Sequence, residues 1–207
     1  MDVTIIGTGN MARGIGSRLV SGGHAVTLLG TERSNAEALA ADLGGSASAG
    51  TVGDPIADDV VVLAVWYPVT LDVAQQAGSQ LDAKVVVDIS NPLNTETFEP
   101  IVPDAGSGAE ELAAAVPGAR VVKAFNTTFA GTLSSGEVSG HQLDVLLASD
   151  DADAKRTVAS LVESSGLRAV DAGPLRRARQ LEALGYLHMA VQEGLGTGYG
   201  SAVKIVG

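Results

Sequence analysis

The chain has 207 residues, with 13 Lys and Arg against 24 Asp and Glu, a net charge of −11, and 45% hydrophobic residues against 18% charged. That length and apolar content suffice for a folded core and exclude a mainly disordered chain, and the acidity argues against nucleic acid and anionic membranes as partners. The absence of cysteine removes disulfides, thiol nucleophiles and Cys-based metal sites together. Val3 to Ile6 reads as a short buried strand closed by Gly7, and Met11 to Ser21 as a helix stopped by Gly22-Gly23. Ala25 to Leu29 is a second strand, and Asn35 to Leu43 a second helix closed by Gly44-Gly45. Val60 to Val65 is a continuous apolar run, the pattern of a strand covered on both faces. A helix over Val69–Gln80 follows, with Pro68 near its start. Strands are predicted at Val85–Ile89, Arg120–Ala124, Leu143–Ala148 and Arg168–Val170, and helices at Glu110–Val116, Ala152–Ser164 and from Arg177 to about Val191. Asn91–Gly108 and Thr127–Gln142 read as long polar loops, which are more often functional than idle.

Strand–helix units of this length imply a mostly parallel sheet with helices on both faces. Gly7-Thr8-Gly9-Asn10-Met11-Ala12 sits at the first strand–helix turn and fits the spacing G-x-G-x-x-A. In that pattern Gly7 allows the tight turn and Gly9 lets a pyrophosphate approach the backbone. Ala12 lets helix and strand pack closely, and the helix N-terminus presents N–H groups to the phosphates. The expected fold is therefore α/β, a Rossmann-type doubly wound sheet. Residues 1–140 form the dinucleotide-binding domain, and 141–207 a smaller C-terminal helical and αβ lobe packed on it. No basic leader precedes the first strand and no apolar run is long enough to span a bilayer, so a cytoplasmic protein is expected.

The end of the second strand separates NAD from NADP. An acidic residue that holds the ribose hydroxyls is expected about 20 residues after the glycines. Gly30 stands there instead, followed by Thr31-Glu32-Arg33-Ser34. Thr31 and Ser34 can hydrogen-bond a 2′-phosphate and Arg33 can pair with it, which favours NADP; Glu32 could itself take a ribose hydroxyl. In a doubly wound sheet the ligand lies at the carboxyl ends of the strands. Those ends carry Ala64-Val65-Trp66-Tyr67-Pro68, Ser90-Asn91-Pro92-Leu93 and Lys123-Ala124-Phe125-Asn126-Thr127-Thr128. Trp66 and Tyr67 either wall the cofactor or plug the sheet top. His24, His141 and His188 are read as structural, solvated and packed in a helix respectively. No Ser–His–Asp set, metal motif or P-loop is present, and no metal site is expected. Hydride transfer between planar rings needs stacking and orientation more than a proton shuttle.

Ile5-Ile6-Gly7-Thr8-Gly9-Asn10-Met11, Ser90-Asn91-Pro92-Leu93, Val122-Lys123-Ala124-Phe125-Asn126-Thr127 and Asp171-Ala172-Gly173-Pro174-Leu175 occur in this order. Together they resemble the coenzyme F420-dependent NADP oxidoreductases, a family related to the cytosolic reductase domain of the STEAP metalloreductases. The resemblance implies direct hydride transfer between NADP(H) and the deazaflavin coenzyme F420, a small-molecule co-substrate, and a homodimer. It implies Thr8, Asn10 and Met11 on the pyrophosphate, beside Gly7 and Gly9, and Thr31, Arg33 and Ser34 on the 2′-phosphate. Ala64, Val65, Trp66, Tyr67, Asn91, Pro92, Ala124, Asn126 and Thr127 would frame the ribose and nicotinamide. The deazaflavin would lie between the Phe125–Thr128 loop and Leu195-Gly196-Thr197-Gly198, and the apolar face of Leu184, Leu187 and Val191 is the expected dimer seam. The Arg176, Arg177 and Arg179 cluster either meets an anionic group of F420 or is a solvated helix start. Two other readings stay open: an NADPH-dependent reductase with another acceptor (a flavin, a ferric complex, an imine), and a non-catalytic NADP-binding regulatory module.

Overall fold

The computed structural model describes residues 1–207. Its first half alternates strand and helix: β1 (Asp2–Ile6), α1 (Asn10–Ser21), β2 (Ala25–Gly30), α2 (Arg33–Leu43), β3 (Ala47–Thr51), β4 (Val60–Leu63) and α3 (Tyr67–Ala77). A 3-10 turn over Gly78–Leu81 leads to β5 (Val85–Asp88), α4 (Gly108–Ala115) and β6 (Arg120–Lys123). The second half contains α5 (Ala130–Ser135), a hairpin of β7 (Glu137–Val138) and β8 (His141–Gln142), then β9 (Asp144–Ala148), α6 (Ala152–Ser164) and β10 (Arg168–Gly173). A 3-10 turn over Leu175–Arg177 opens α7 (Ala178–Ala190), and α8 (Gln192–Leu195) follows.

Six strands in the order β3-β2-β1-β4-β5-β6 pair in parallel, the doubly wound arrangement the sequence predicts. Residues 141–207 extend the same sheet: β9 pairs antiparallel with β6, and β10 lies parallel to β9. The strands work because Val60–Leu63 and Val85–Val87 are buried throughout, so both faces are covered by helices. Alternation divides the core in two. Val3, Ile5, Val26 and Leu28 pack with Ile15 and Leu19 of α1 and Val158 of α6. Ile6, Leu29, Val61 and Leu63 pack with Ala74 of α3 and Leu112 of α4. Each such fully buried aliphatic side chain contributes about 1.5–3 kcal/mol.

Local signals set the helix ends. Ser107 Oγ accepts from the Glu110 N–H at 3.2 Å, the N-cap that starts α4, and its hydroxyl donates to the Glu110 carboxylate at 2.7 Å. Asp151 caps α6 through the N–H groups of Asp153 and Ala154, both at 2.9 Å.

Several boundaries differ from the sequence reading. β4 ends at Leu63 rather than Val65. α3 begins at Tyr67, with Pro68 inside its first turn, and gives way to the 3-10 turn after Ala77. β3 was hidden because its sequence, Ala-Ser-Ala-Gly-Thr, has no apolar alternation and it forms the sheet edge. The segment Thr127–Gln142 is not one loop. It holds α5 and the hairpin, which are too short and too rich in Gly and Ser to show a period.

The C-terminal tail is fastened by charge. Asp144, buried at the start of β9, accepts from Arg168, Lys204 and the Ile205 N–H. Burial pushes its carboxyl up, but the donors outweigh this and hold it at about 2, below the ordinary 3.8. A depressed carboxyl stabilises the fold above its unfolded pKa, and that contribution disappears as pH falls from about 4 toward 2. Over that window the wild type should lose more stability than Asp144→Asn in acid titrations followed by circular dichroism. Equal slopes would mean the tail is not held by this ion cluster.

Candidate functional site

The turn after β1 combines two backbone requirements. Gly7 has φ +123°, and a Cβ there would stand 2.3 Å from the Ala64 carbonyl oxygen, so only glycine fits. Gly9 precedes α1 in extended backbone, and the space around its Cα is open. No side chain caps α1 and no acidic residue occupies its first turn, so its first N–H groups remain available to an anion. Ala12 is fully buried beneath.

At the end of β2 the structure explains why no carboxylate holds that place. A Cβ on Gly30 would lie 2.9 Å from Thr8 Cγ2 and 3.0 Å from the Glu32 carbonyl oxygen. Thr31, Arg33 and Ser34 are all exposed at the start of α2, and Arg33 pairs only with Glu37, at 3.0 Å. An exposed pair of this kind holds the guanidinium weakly and leaves it able to turn to a phosphate.

Between these turns and α7 lies a cleft of about 670 Å³. Its near wall is the strand tops: Gly9, Asn10 and Met11 after β1; Ala64, Val65 and Trp66 after β4; Ile89, Ser90, Asn91 and Leu93 after β5; Phe125, Asn126 and Thr128 after β6. Its far wall is Phe129, Ala130 and Gly131 at the start of α5, Met189 of α7, and Gly198 and Tyr199 of the tail. No Lys, Arg, Asp or Glu lines it.

The floor is rigid. Asn126 Nδ2 donates to Asn91 Oδ1 at 2.9 Å and to the Leu181 carbonyl at 2.8 Å, and Asn91 Nδ2 donates to the Asn126 carbonyl at 2.9 Å. Phe125 is buried with φ +60°, a strained conformation for a non-glycine residue. Yet Ser90 Oγ and Asn126 Oδ1 are buried without any hydrogen-bond partner. Such atoms cost stability unless a ligand satisfies them. Ser90 and Asn126 both line the cleft, so these two groups lie just beneath the surface that the carboxamide and ribose of a nicotinamide nucleotide would meet.

Directly behind the floor lies a charge cluster. Lys123 Nζ donates to Asp88 at 2.8 Å, to Glu182 of α7 at 2.8 Å and to the Ser90 carbonyl. Lys123 and Asp88 are fully buried and Glu182 is 7% exposed. Asp88 also accepts from the Ser90 N–H at 2.9 Å, so the two ions grip Ser90 from both sides. Glu182 accepts in addition from the Gly108 and Ala109 N–H groups that open α4. Burial pushes its carboxyl above the ordinary value, and Lys123 opposes that shift.

A second buried group supports the far wall. The His188 ring stacks on Phe129 with centroids 4.2 Å apart, and Tyr199 meets Phe129 edge-on at 5.1 Å. His188 Nε2 is 2.8 Å from Ser201 Oγ and Nδ1 is 3.2 Å from the Thr127 carbonyl oxygen. Burial pushes its pKa down, toward the neutral form.

The structure thus gathers Gly9, Asn10, Met11, Ala64, Val65, Trp66, Asn91, Phe125 and Asn126 in one cleft. Others stand elsewhere. Tyr67 turns outward and donates to Glu111 at 2.6 Å, and Pro92 and Tyr67 both pack on Gly108. Ala124 and Thr127 are buried and off the cleft surface, and Thr127 reaches the site only through its carbonyl to His188. The Arg cluster does not line the cleft: Arg179 pairs with Glu110 at 2.8 Å, and Arg176 and Arg177 face solvent in the turn before α7, whose stretch from Ala178 to Met189 is about 16 Å long. His24 is buried between the N-terminal amine and Ser164, and His141 is exposed. The sequence reading missed Phe129, Met189, Tyr199 and the Lys123–Glu182 pair. A lone Lys in the apolar run Val121-Val122-Lys123-Ala124 was the available signal.

Residues 2–92 match the family described as NADP oxidoreductase, coenzyme F420-dependent. The metalloreductase STEAP3 of Rattus norvegicus is 32% identical over 183 residues, covering 88% of this chain and 36% of that protein. The F420-dependent NADP reductase of Methanocaldococcus jannaschii is 32% identical over 131 residues, covering 61% of this chain and 58% of that one. A solved structure of a putative F420-dependent NADP-reductase from Arthrobacter sp. FB24 superposes over 100% of both chains, with a TM-score of 0.89 and 26% identity. Over residues 2–92, a little under half of its length, this chain belongs to the F420-dependent NADP oxidoreductase family. It spans about a third of the rat relative's length and over half of the archaeal one's. The glycine turn, Ser90 and Asn91 lie in the matched region, whereas Phe125 and Asn126 of the floor, and α5, α7 and the tail, which build the far wall, lie beyond it.

Proposed function

We propose that this oxidoreductase transfers hydride between NADP(H) and a deazaflavin of the coenzyme F420 type. What carries the reading is the run of open ground from Gly30–Ser34, across the Gly7–Ala12 turn, to a cleft floor whose Ser90 Oγ and Asn126 Oδ1 lack partners. NADPH supplies the hydride when bound. Thr8, Asn10 and Met11 would hold its pyrophosphate with the α1 N-terminus, and Thr31, Arg33 and Ser34 its 2′-phosphate. Trp66, Asn91 and Asn126 would orient the ribose and nicotinamide, and Phe129, Met189 and Tyr199 would press the acceptor ring against it. The aromatic and apolar walls exclude water and hold two flat rings face to face, which is the main requirement of direct hydride transfer. An anionic acceptor tail finds no cation in the cleft and would run out into solvent. Of the expected seam, Leu184 packs inward against Leu146 and Leu181, while Leu187 and Val191 are exposed, at 57% and 40%, and with Leu195 at 56% would form the seam of a homodimer.

Loss of the deazaflavin absorbance on mixing with NADPH tests the reaction, with NADH as control. Arg33→Ala should raise KM for NADPH by about tenfold or more, the scale of one charge-assisted contact, and leave NADH nearly unchanged. Equal effects on both would remove the phosphate-site assignment. NADPH binding with no turnover of the deazaflavin would remove the acceptor.

A further inference from the structure

We propose that the Lys123–Asp88–Glu182 cluster is a fixed counter-charge for the oxidised nicotinamide, weighting the site toward NADP+ relative to NADPH. This rests on the reading that NADP(H) occupies the cleft.

The cluster holds one cation and two carboxylates. One carboxylate would neutralise Lys123, so the second leaves a net negative charge in a place where burial makes charge expensive. Glu182 offsets part of that cost by accepting from Lys123 and the Gly108 and Ala109 N–H groups, although a neutral glutamine would accept there without the charge. Burial and the nearby Asp88 carboxylate disfavour its charge, but its hydrogen-bond partners, Lys123 Nζ and the N–H groups of Gly108 and Ala109, are all donors. Those contacts, at the N-terminus of the eight-residue α4, favour the ionised form. The excess charge therefore sits as a carboxylate joined to Ser90 through the shared Lys123 Nζ, and Ser90 lines a cleft that no Lys or Arg lines.

Hydride transfer takes the nicotinamide ring from neutral to one positive charge, the hydride's electron pair passing to a carbon of the acceptor ring. A negative charge already fixed behind the cleft floor favours the cationic state without reorganisation, because both sides of Ser90 are tied down. Glu182 acts through the field and touches neither reactant, so its role is electrostatic positioning.

The decisive quantity is the ratio of Kd for NADP+ to Kd for NADPH, measured by isothermal titration of the full chain. Glu182→Gln removes the charge and should raise that ratio about tenfold, the scale of one charge acting over several ångströms at an effective dielectric constant of about 20. Glu182→Asp keeps the charge and should leave the ratio within about twofold. Asp88→Asn removes the other carboxylate and should shift the ratio in the same direction, so it decides the matter if Glu182→Gln does not fold. An unchanged ratio in both neutralised variants overturns the proposal, as does an equal shift in Glu182→Asp. A wild-type chain that binds neither nucleotide overturns the site assignment itself, a result distinct from normal binding with an unmoved ratio.

Discussion

Lys123→Met should cost about 3–5 kcal/mol of stability, the largest effect of any single charge removal in this chain. The substitution keeps most of the side-chain volume, so the cost is electrostatic rather than a cavity. Asp88 and Glu182 would be left side by side, 0% and 7% exposed, with their shared cation gone. The Ser90 carbonyl would also lose its donor. A protein of this size is stable by only about 5–15 kcal/mol, so the variant should melt far below the wild type or fail to accumulate. Arg13→Ala is the control. Its pair with Asp42 is half exposed on both sides, and exposed pairs contribute at most about 1 kcal/mol. Urea titration of both variants gives the comparison. A Lys123→Met protein within about 1 kcal/mol of wild type would mean that the carboxylates protonate or rearrange cheaply, and the charge cluster could not then be a fixed feature of the floor.

How much of this was legible in the sequence depends on whether the signal was local. The parallel strands were, because Val60–Leu63 and Val85–Val87 can only be covered on both faces. The nucleotide turn was, because a tight backbone approach demands small residues at Gly7, Gly9 and Ala12 in that spacing. The far wall was not. Phe129 and Tyr199 meet across 70 positions of chain, and nothing local in either segment announces the other. The Lys123–Glu182 contact spans 59 residues and was equally invisible, although the lysine was conspicuous in its apolar strand. Trp66 and Tyr67 show a finer limit. They are neighbours, and the sequence could not say whether they wall the cofactor or plug the sheet. At the junction of β4 and α3 the chain sends Trp66 to the cleft mouth, 56% exposed, and Tyr67 the other way, to Glu111. The Arg176–Arg179 cluster left two readings open for a related reason. Charge density along the chain says nothing about which carboxylate lies across the helix, and Glu110 takes Arg179 before any ligand could.

The glycine turn offers the sharpest separation of binding from folding. Gly9→Ala should leave the midpoint of unfolding within about 0.5 kcal/mol of wild type, since its backbone is extended and a Cβ there meets no protein atom within 4 Å. The same methyl group would stand in the open ground where a diphosphate must approach the α1 N-terminus, so NADPH affinity should fall by about tenfold to a hundredfold. Gly7→Ala should behave differently. Its Cβ would overlap the Ala64 carbonyl oxygen at 2.3 Å, in a backbone conformation with φ +123° that side chains rarely adopt. Relief requires β1 and β4 to part at their tops, so both stability and binding should drop, the former by about 2 kcal/mol or more. Denaturant unfolding and NADPH titration on the two variants give four numbers that must fall in this pattern. If Gly9→Ala binds NADPH as tightly as the wild type, the diphosphate does not lie against this turn. The remaining roles assigned along the cleft, from Arg33 to Asn126, would lose their common origin with it.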